Sequence, residues 1–139
     1  MKLYTVGFIF NEDFSKVLLV KKNRPDWQKG KLNGPGGRIE DGETSIRCVA
    51  REIFEEAGLE TQEEDWFFFA KLNREDASVD FYTSIYRGSL DRVSSQTDEE
   101  VGWFNTKSLP ENTIHNLTWL IPMGIDRLKN NEFHCCEIE

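Results

Sequence analysis

Three glutamates stand close together in the segment REIFEEAG, residues 51–58. Glu52, Glu55 and Glu56 are spaced i, i+3 and i+4, so on a helix their side chains lie on one face. Like charges at i,i+4 destabilise an isolated helix by roughly 0.2–0.5 kcal/mol. Two explanations are open. The face is either solvated, with Arg51 and Glu55 as an ion pair, or it binds a cation.

The segment that precedes the cluster favours a cation. It reads NGPGGRIEDGE, residues 33–43, and contains four glycines and one proline. A glycine-rich backbone can approach a ligand closely and point carbonyl or amide groups at it. Carboxylates and backbone oxygens suit a hard divalent ion such as Mg²⁺, which also binds the phosphates of its substrate. We therefore predict that the glutamates face Mg²⁺, for which Mn²⁺ can substitute.

A helix is predicted from Thr44 to Ala57 because its apolar residues follow a period of 3.6. Thr44 suits the N-cap, and Gly58 suits a left-handed helix stop. The apolar face, which can pack on a sheet, consists of Ile46, Val49, Ala50, Ile53 and Ala57. The three glutamates point away from that face, beside the glycine-rich loop.

The remaining elements predict an α/β protein with a mixed sheet and helices on both sides, an α/β/α sandwich in one domain over residues 1–139. A hairpin of two strands opens the chain and a loop follows it over residues 23–42. A second helix near the end is kinked or interrupted at Pro122. The predicted strands cover residues 4–10, 16–22, 66–72, 78–88 and 101–106, and the second helix covers 114–131.

Composition limits the function classes. The chain has 139 residues, a net charge of −8 and a pI of about 4.9. A general nucleic-acid binder would carry a basic stripe, so the expected partner is a small molecule and not a nucleic acid polymer. No apolar run is long enough for a membrane span, and the first ten residues are typical of a strand. We expect a cytoplasmic protein, monomeric or homodimeric.

Three cysteines are too few for a disulfide framework. Cys135 and Cys136 follow His134, which raises the alternative of a metal-binding tail. No second pair of ligands follows them, so a frayed, reduced C-terminus is the preferred interpretation.

Residues 37–59 match the pattern G-x5-E-x7-R-E-U-x-E-E-x-G-U, in which U is apolar, and they resemble the Nudix box. The matching residues are Gly37, Glu43, Arg51, Glu52, Ile53, Glu55, Glu56, Gly58 and Leu59. The resemblance implies a Nudix fold with a loop–helix–loop catalytic motif and the Mg²⁺-dependent hydrolysis of a nucleoside diphosphate linked to another group.

The resemblance also implies roles for individual residues. The metal ligands would be Glu52, Glu55, Glu56 and the carbonyl of Gly36. Glu43 and Arg51 would organise the motif, with Glu40 in the outer metal shell.

A catalytic carboxylate outside the box is also expected. Metal-activated water still has a proton to lose, and a nearby carboxylate can accept it. The segment TDEEVGWF supplies Glu99 and Glu100, and Glu100 stands where related proteins often place an extra carboxylate. An acidic solvated loop is the alternative.

Candidate substrate contacts are Asn33, Trp103, Trp27 and Arg38. GKLNGPGG and GWF resemble segments of Nudix enzymes that hydrolyse oxidised purine nucleoside triphosphates. In those enzymes an asparagine binds the base and a tryptophan stacks on it. The aspartate pair that reads the oxidised purine would fall near His115 and Asn116, and this chain lacks it. Asn33 as a turn cap and Trp103 as a core residue are the alternatives.

Three functions remain open from the sequence. The first is a pyrophosphohydrolase of (deoxy)nucleoside triphosphates, oxidised purines included, that releases the monophosphate and pyrophosphate. The second is the same chemistry on ADP-ribose, a nucleotide sugar or a dinucleotide. The third is a non-catalytic Nudix domain that senses a nucleotide, which the intact box disfavours.

Overall fold

The structure is a computed structural model, and it describes residues 1–139. It contains two helices, α1 (Ser45–Ala57) and α2 (Leu117–Lys129). The strands are β1 (Lys2–Phe10), β2 (Lys16–Lys21), β3 (Leu32–Asn33), β4 (Gly36–Arg38), β5 (Phe67–Asn73), β6 (Ala77–Ile85), β7 (Val101–Asn105) and β8 (Cys136–Ile138). No helix is both long enough and apolar enough to cross a membrane.

All eight strands join one mixed sheet. Its order is β3-β2-β1-β6-β5-β8, and β4 pairs with β1 while β7 pairs with β2. The β1–β6 and β5–β8 pairs are parallel, and the other pairs are antiparallel. The predicted hairpin of β1 and β2 is confirmed, with Phe10 opposite Val17.

The two helices cover opposite faces of the sheet. Successive strand residues point to opposite faces, so Phe8 and Phe10 of β1 pack under α2 while Ile9 packs under α1. On α1, Val49, Ile53 and Ala57 are fully buried. This arrangement confirms the predicted α/β/α sandwich.

The limits of α1 agree with the sequence signals. The Thr44 hydroxyl accepts a hydrogen bond from the Arg47 N–H at 3.3 Å, and Gly58 ends the helix at φ 73°. A residue with a side chain is strained at that φ. The predicted cap and stop are therefore confirmed, and they hold the glutamates on a short, well-defined helix.

Three predictions were wrong. The predicted loop over residues 23–42 contains β3 and β4, which pair with β2 and β1. The predicted interruption at Pro122 is wrong, since helix α2 runs through that residue, whereas the alternative of a kink stays a prediction. The lost hydrogen bond is offset by burial of the α2 side chains Leu117, Leu120 and Ile121. The C-terminus is not frayed, because β8 pairs in parallel with β5.

Candidate active site

Helix α1 places Glu56 directly beneath the glycine-rich segment. Its side chain is buried, and its Oε2 accepts a hydrogen bond from the Gly36 N–H at 3.0 Å. Gly36 itself lies against β1, because a side-chain carbon there would come within 2.0 Å of the Thr5 carbonyl oxygen. Only glycine allows β4 to approach both β1 and Glu56 this closely.

Gly37 allows the Glu52 carboxylate to approach β4 in the same way. A side-chain carbon at Gly37 would lie 2.5 Å from Oε1 of Glu52. The Glu52 side chain is 15% exposed, so its carboxylate is packed against the loop backbone. Two adjacent glycines thus bring two carboxylates of α1 into contact with β4.

Arg51 joins the helix to the start of the motif. Its Nε donates to Oε2 of Glu43 at 2.7 Å, and its Nη2 donates to Oε1 at 3.0 Å. This paired geometry uses the planar fork of the guanidinium. Glu40 lies 3.3 Å from Nη2 as a further ion pair.

The other side of the Arg51 guanidinium contacts the glutamate cluster. Nη1 donates to Glu52 at 2.9 Å and to Glu55 at 3.2 Å. Nη2 also donates to the Arg38 carbonyl at 3.3 Å. One cation therefore connects two glutamates of α1 to the backbone of β4.

The carboxyl groups of the cluster have different proton affinities. Burial raises the pKa of Glu56 to about 8, and the charges of Glu52 and Glu99 add to this while Lys22 opposes it. Burial also raises the pKa of Glu52. The hydrogen bonds from Arg51 lower the pKa of Glu43 to about 2. Glu56 is therefore the carboxyl that gains most from a cation beside it.

The donor set suits a divalent ion, but no three His, Cys, Asp or Glu side chains converge as a ready-made metal site. Nη1 of Arg51 already donates hydrogen bonds to Glu52 and Glu55. The available donors are all hard oxygens, as Mg²⁺ requires. Metal binding would therefore draw the two glutamates away from Arg51.

The charges of Lys22 and Glu99 act on Glu56. The sequence predicted Glu99 only as one of two candidate carboxylates and gave Lys22 no role. Lys22 Nζ lies 3.3 Å from Oε1 of Glu99, and the Asn23 N–H donates to Oε2 at 2.6 Å. Glu99 is buried, and its charge raises the pKa of Glu56. The segment TDEE pointed to Glu99 in the sequence, but no local signal connected it with Lys22.

Glu100 precedes β7 and is exposed. It lines a cleft of about 290 Å³ with Leu32, Val101 and Phe104. Its neighbour Glu99 is buried, and the charge of Glu99 acts on Glu56. Glu100 stays a prediction as the catalytic carboxylate, and Glu99 is the second candidate.

Asn33 contacts the short turn that contains Trp27. The Asn33 amide donates to Oε1 of Gln28 at 3.3 Å, and its Oδ1 accepts from the Gly34 N–H at 2.8 Å. Trp27, in the short turn Asp26–Gln28, is 62% exposed. An exposed indole in this position can stack on a ligand without loss of core packing.

Arg38 is exposed at the end of β4. Its guanidinium forms no ion pair within the chain. It is therefore available to an anionic ligand.

Trp103 has the contacts of a packing residue. Its ring stacks on Tyr86 with centroids 6.1 Å apart, and its Nε1 donates to the Leu90 carbonyl at 3.1 Å. It lies on β7, on the opposite edge of β2 from Asn33. Its polar atom and one face of its ring are therefore occupied, and the base contact at Trp103 stays a prediction.

A second amide lies near Asn33. The segment before α2 pairs with β3, with the Ile114 N–H donating to the Leu32 carbonyl at 3.0 Å. In this segment the buried Oγ1 of Thr113 and Oδ1 of Asn116 have no hydrogen-bond partner. Such atoms are rare in folded proteins, and ordered water, an ion or a polar ligand can satisfy them. Only the position of the missing aspartate pair pointed to Asn116 in the sequence.

Comparison with known families agrees with this geometry. The family model described as NUDIX domain matches residues 1–122. The chain belongs to the Nudix family. A nudix hydrolase of Caenorhabditis elegans is 30% identical over 112 residues, which cover 73% of this chain and 28% of that protein. The 8-oxo-dGTP diphosphatase of Escherichia coli K12 is 37% identical over 70 residues, which cover 50% of this chain and 52% of that protein.

A solved structure described for MutT from Aliivibrio salmonicida and Vibrio cholerae has the same fold. Its TM-score is 0.69 at 25% sequence identity, and the match covers 91% of this chain and 98% of that one. This Nudix chain spans from about a quarter to about half of the two curated relatives described above. The likeness therefore covers the Nudix domain and not the remainder of those proteins.

Proposed function

We propose that this Nudix chain hydrolyses the pyrophosphate linkage of a nucleoside triphosphate, with Mg²⁺ as cofactor, and releases the monophosphate and pyrophosphate. The observation that carries the proposal is the packing of Glu52 and Glu56 against the Gly36–Gly37 backbone. Buried carboxylates with raised pKa values are costly unless a cation or a reaction uses them.

The proposed metal ligands are Glu52, Glu55, Glu56 and the Gly36 carbonyl. When bound, the ion would neutralise phosphate charge and lower the pKa of a water molecule. Gly36 fixes Oε2 of Glu56, so Oε1 remains for a ligand or a proton. Glu43 would hold Arg51 in place while Glu52 and Glu55 exchange Arg51 for the ion.

Two cations of the chain are placed to bind the phosphates. Lys22 is 15% exposed, and its charge already acts on Glu52 and Glu56. Arg38 is exposed and unpaired. A triphosphate carries more negative charge than the metal neutralises, so both side chains would hold the remaining oxygens.

The base would lie between Trp27 and the amides of Asn33 and Asn116. An exposed indole supplies a stacking surface, and the amides can donate and accept hydrogen bonds at the base edge. The name of the E. coli relative makes oxidised purine triphosphates the first substrates to test.

The test is a product assay on a panel of dGTP, 8-oxo-dGTP, dCTP and ADP-ribose, with Mg²⁺, with Mn²⁺ or with chelator. We expect pyrophosphate and a monophosphate from at least one triphosphate, complete loss of turnover with chelator, and recovery with either ion. Glu56→Gln serves as the inactive control. Nucleotide binding without hydrolysis of any substrate would favour the sensing function instead.

A further inference from the structure

Two buried polar side chains lie behind the glycine-rich segment and take no part in the proposed chemistry. Thr5 of β1 and Cys48 of α1 are both fully buried. The Thr5 hydroxyl donates to Sγ of Cys48 at 3.2 Å. The Cys48 thiol in turn points at the Arg38 carbonyl, with Sγ and O 3.5 Å apart. The contacts form a relay from the centre of the sheet to the backbone of β4.

The relay ends at the same carbonyl that Arg51 uses. The Arg38 oxygen accepts from Nη2 of Arg51 at 3.3 Å, and Nη2 lies 3.6 Å from the Cys48 sulfur. Arg51 also contacts Glu52 and Glu55. One backbone oxygen therefore joins β1, α1 and the glutamate-binding arginine.

The thiol is suited to donate at this position. Burial raises the pKa of Cys48 to about 11, so the sulfur keeps its proton at neutral pH and the S–H can face the carbonyl. The Thr5 hydroxyl satisfies the sulfur from the opposite side. Valine in place of Thr5 and alanine in place of Cys48 would fill these buried positions without polar atoms. The need to fill space therefore does not by itself explain why a hydroxyl and a thiol stand there.

We propose that Thr5 and Cys48 are positioning residues that hold the β4 backbone, and with it Arg51 and the glutamates, in the arrangement that binds the divalent ion. The inference rests on the proposed metal site. Neither side chain touches substrate or metal. They would affect metal affinity indirectly. Their contacts would fix the Arg38 carbonyl and, through the β4 backbone, the positions of Gly36 and Gly37 relative to α1.

The experiment measures Mg²⁺ and Mn²⁺ affinity by calorimetry without substrate, beside thermal melts. Thr5→Val removes the hydroxyl at nearly constant volume. We expect it to weaken metal affinity about 3- to 10-fold, less than the 10- to 100-fold typical for a partner of a metal ligand, because a thiol is a weak donor. The double variant Thr5→Val/Cys48→Ala should lose little more than the single ones, since both break one relay.

Thr83→Val is the matched control. Thr83 is equally buried, and its hydroxyl donates to the Gly124 carbonyl of α2 at 3.2 Å, on the far side of the sheet. It should lower the melting temperature as much as Thr5→Val while leaving metal affinity within about 2-fold. If Thr5→Val fails to fold, Cys48→Ser and Cys48→Ala carry the test. Serine keeps a donor and should retain more affinity than alanine.

The outcomes separate the two proposals. Equal metal affinity in the wild type, Thr5→Val and Cys48→Ala would overturn the relay and leave the metal site standing. A loss of affinity as large in Thr83→Val would also overturn it, because the effect would then follow stability alone. A wild-type protein that neither binds the ions nor hydrolyses any substrate would overturn the proposed function, and the relay with it.

Discussion

Glu56 is the residue on which the proposed chemistry depends most directly. Glu56→Gln keeps the shape of the side chain and its contact with Gly36 but removes a charged ligand. We expect kcat to fall by at least ~10²-fold, the usual scale for loss of one such catalytic group. Steady-state kinetics with saturating Mg²⁺ measure this. Full turnover in the variant would show that Glu56 is not a ligand.

Arg51 should matter for activity more than its partial exposure suggests. Arg51→Lys keeps the charge but cannot reproduce the fork that binds Glu43, so we expect turnover to fall nearly as far as in Arg51→Ala. The alanine variant should also lose ~1–3 kcal/mol of stability, since it removes hydrogen bonds to charged groups.

The matched control for Arg51 lies on the same helix. Arg47 is 67% exposed and its nearest carboxylate, that of Glu63, is 3.9 Å away. Arg47→Ala should change stability by less than ~0.5 kcal/mol and leave turnover unchanged. If Arg51→Lys is as active as the wild type, Arg51 supplies charge and not geometry.

Gly37 is predicted to be essential for the position of Glu52. The atoms nearest to a methyl group at this position are those of the Glu52 carboxylate, 2.5–2.9 Å away. Because this is the end of a side chain and not backbone, Gly37→Ala should fold while displacing the carboxylate. We expect a drop in kcat of ~10-fold or more with little change in melting temperature. Gly102→Ala is the control, because its methyl group would lie 3.5 Å from the Phe104 ring, an ordinary contact.

At the scale of the element, two tryptophans are predicted to have different roles. Trp103 on β7 is predicted to pack within the protein, and Trp27 in the turn before β3 is predicted to stack on the base. Trp103→Ala should lose about 3 kcal/mol of stability through lost packing on Tyr86 and should keep a normal KM. Trp27→Ala should keep its stability and raise KM about 5- to 100-fold, the range for loss of one stacked base. Denaturation curves beside KM for each nucleotide separate the roles. The opposite pattern would favour Trp103 as the base contact.

At the scale of the whole molecule, the stability of the metal-free protein should depend on pH through Glu56. Its pKa of about 8 in the folded protein lies above the ordinary value of 4.5, so between these values the folded state holds more protons than the unfolded state. The contribution of Glu56 to the free energy of unfolding is fully present below pH 4.5 and is lost as pH rises through about 8. Glu43 is shifted downward and does not titrate in this window.

Urea unfolding across pH 5–9 with chelator tests this. Saturating Mg²⁺ should remove most of the decline, because the ion binds the ionised carboxylate. Glu56→Gln should reduce it without metal, because glutamine resembles the protonated acid, and Glu52, whose pKa burial also raises, should account for the remainder. The same decline in that variant would show that another group is responsible.

Much of the site could be predicted because its signals are local. The period of α1, its Thr44 cap and the Gly58 stop lie within fifteen residues, and one turn of helix is enough to place Glu52, Glu55 and Glu56 on one face. The Arg51 contacts with Glu43 and Glu55 also lie within eight residues. The helix alone sets the spacing of the glutamates and of Arg51 and Glu55, and Glu43 lies two residues before the helix begins.

The sequence by itself determined the family, the helix that carries the glutamates and the glycines that let a backbone approach them. Only the tertiary structure decided what depends on pairing between distant strands: that β4 forms inside the loop, that β8 orders the C-terminus, and that one face of Trp103 packs on Tyr86. It also showed that Glu99 is buried and Glu100 exposed, because the contacts of Glu99 with Lys22 and Asn23 join distant parts of the chain. The physical reason is the same in each case, because strand pairing is set by partners far away in the chain, whereas the helix is specified by its own residues.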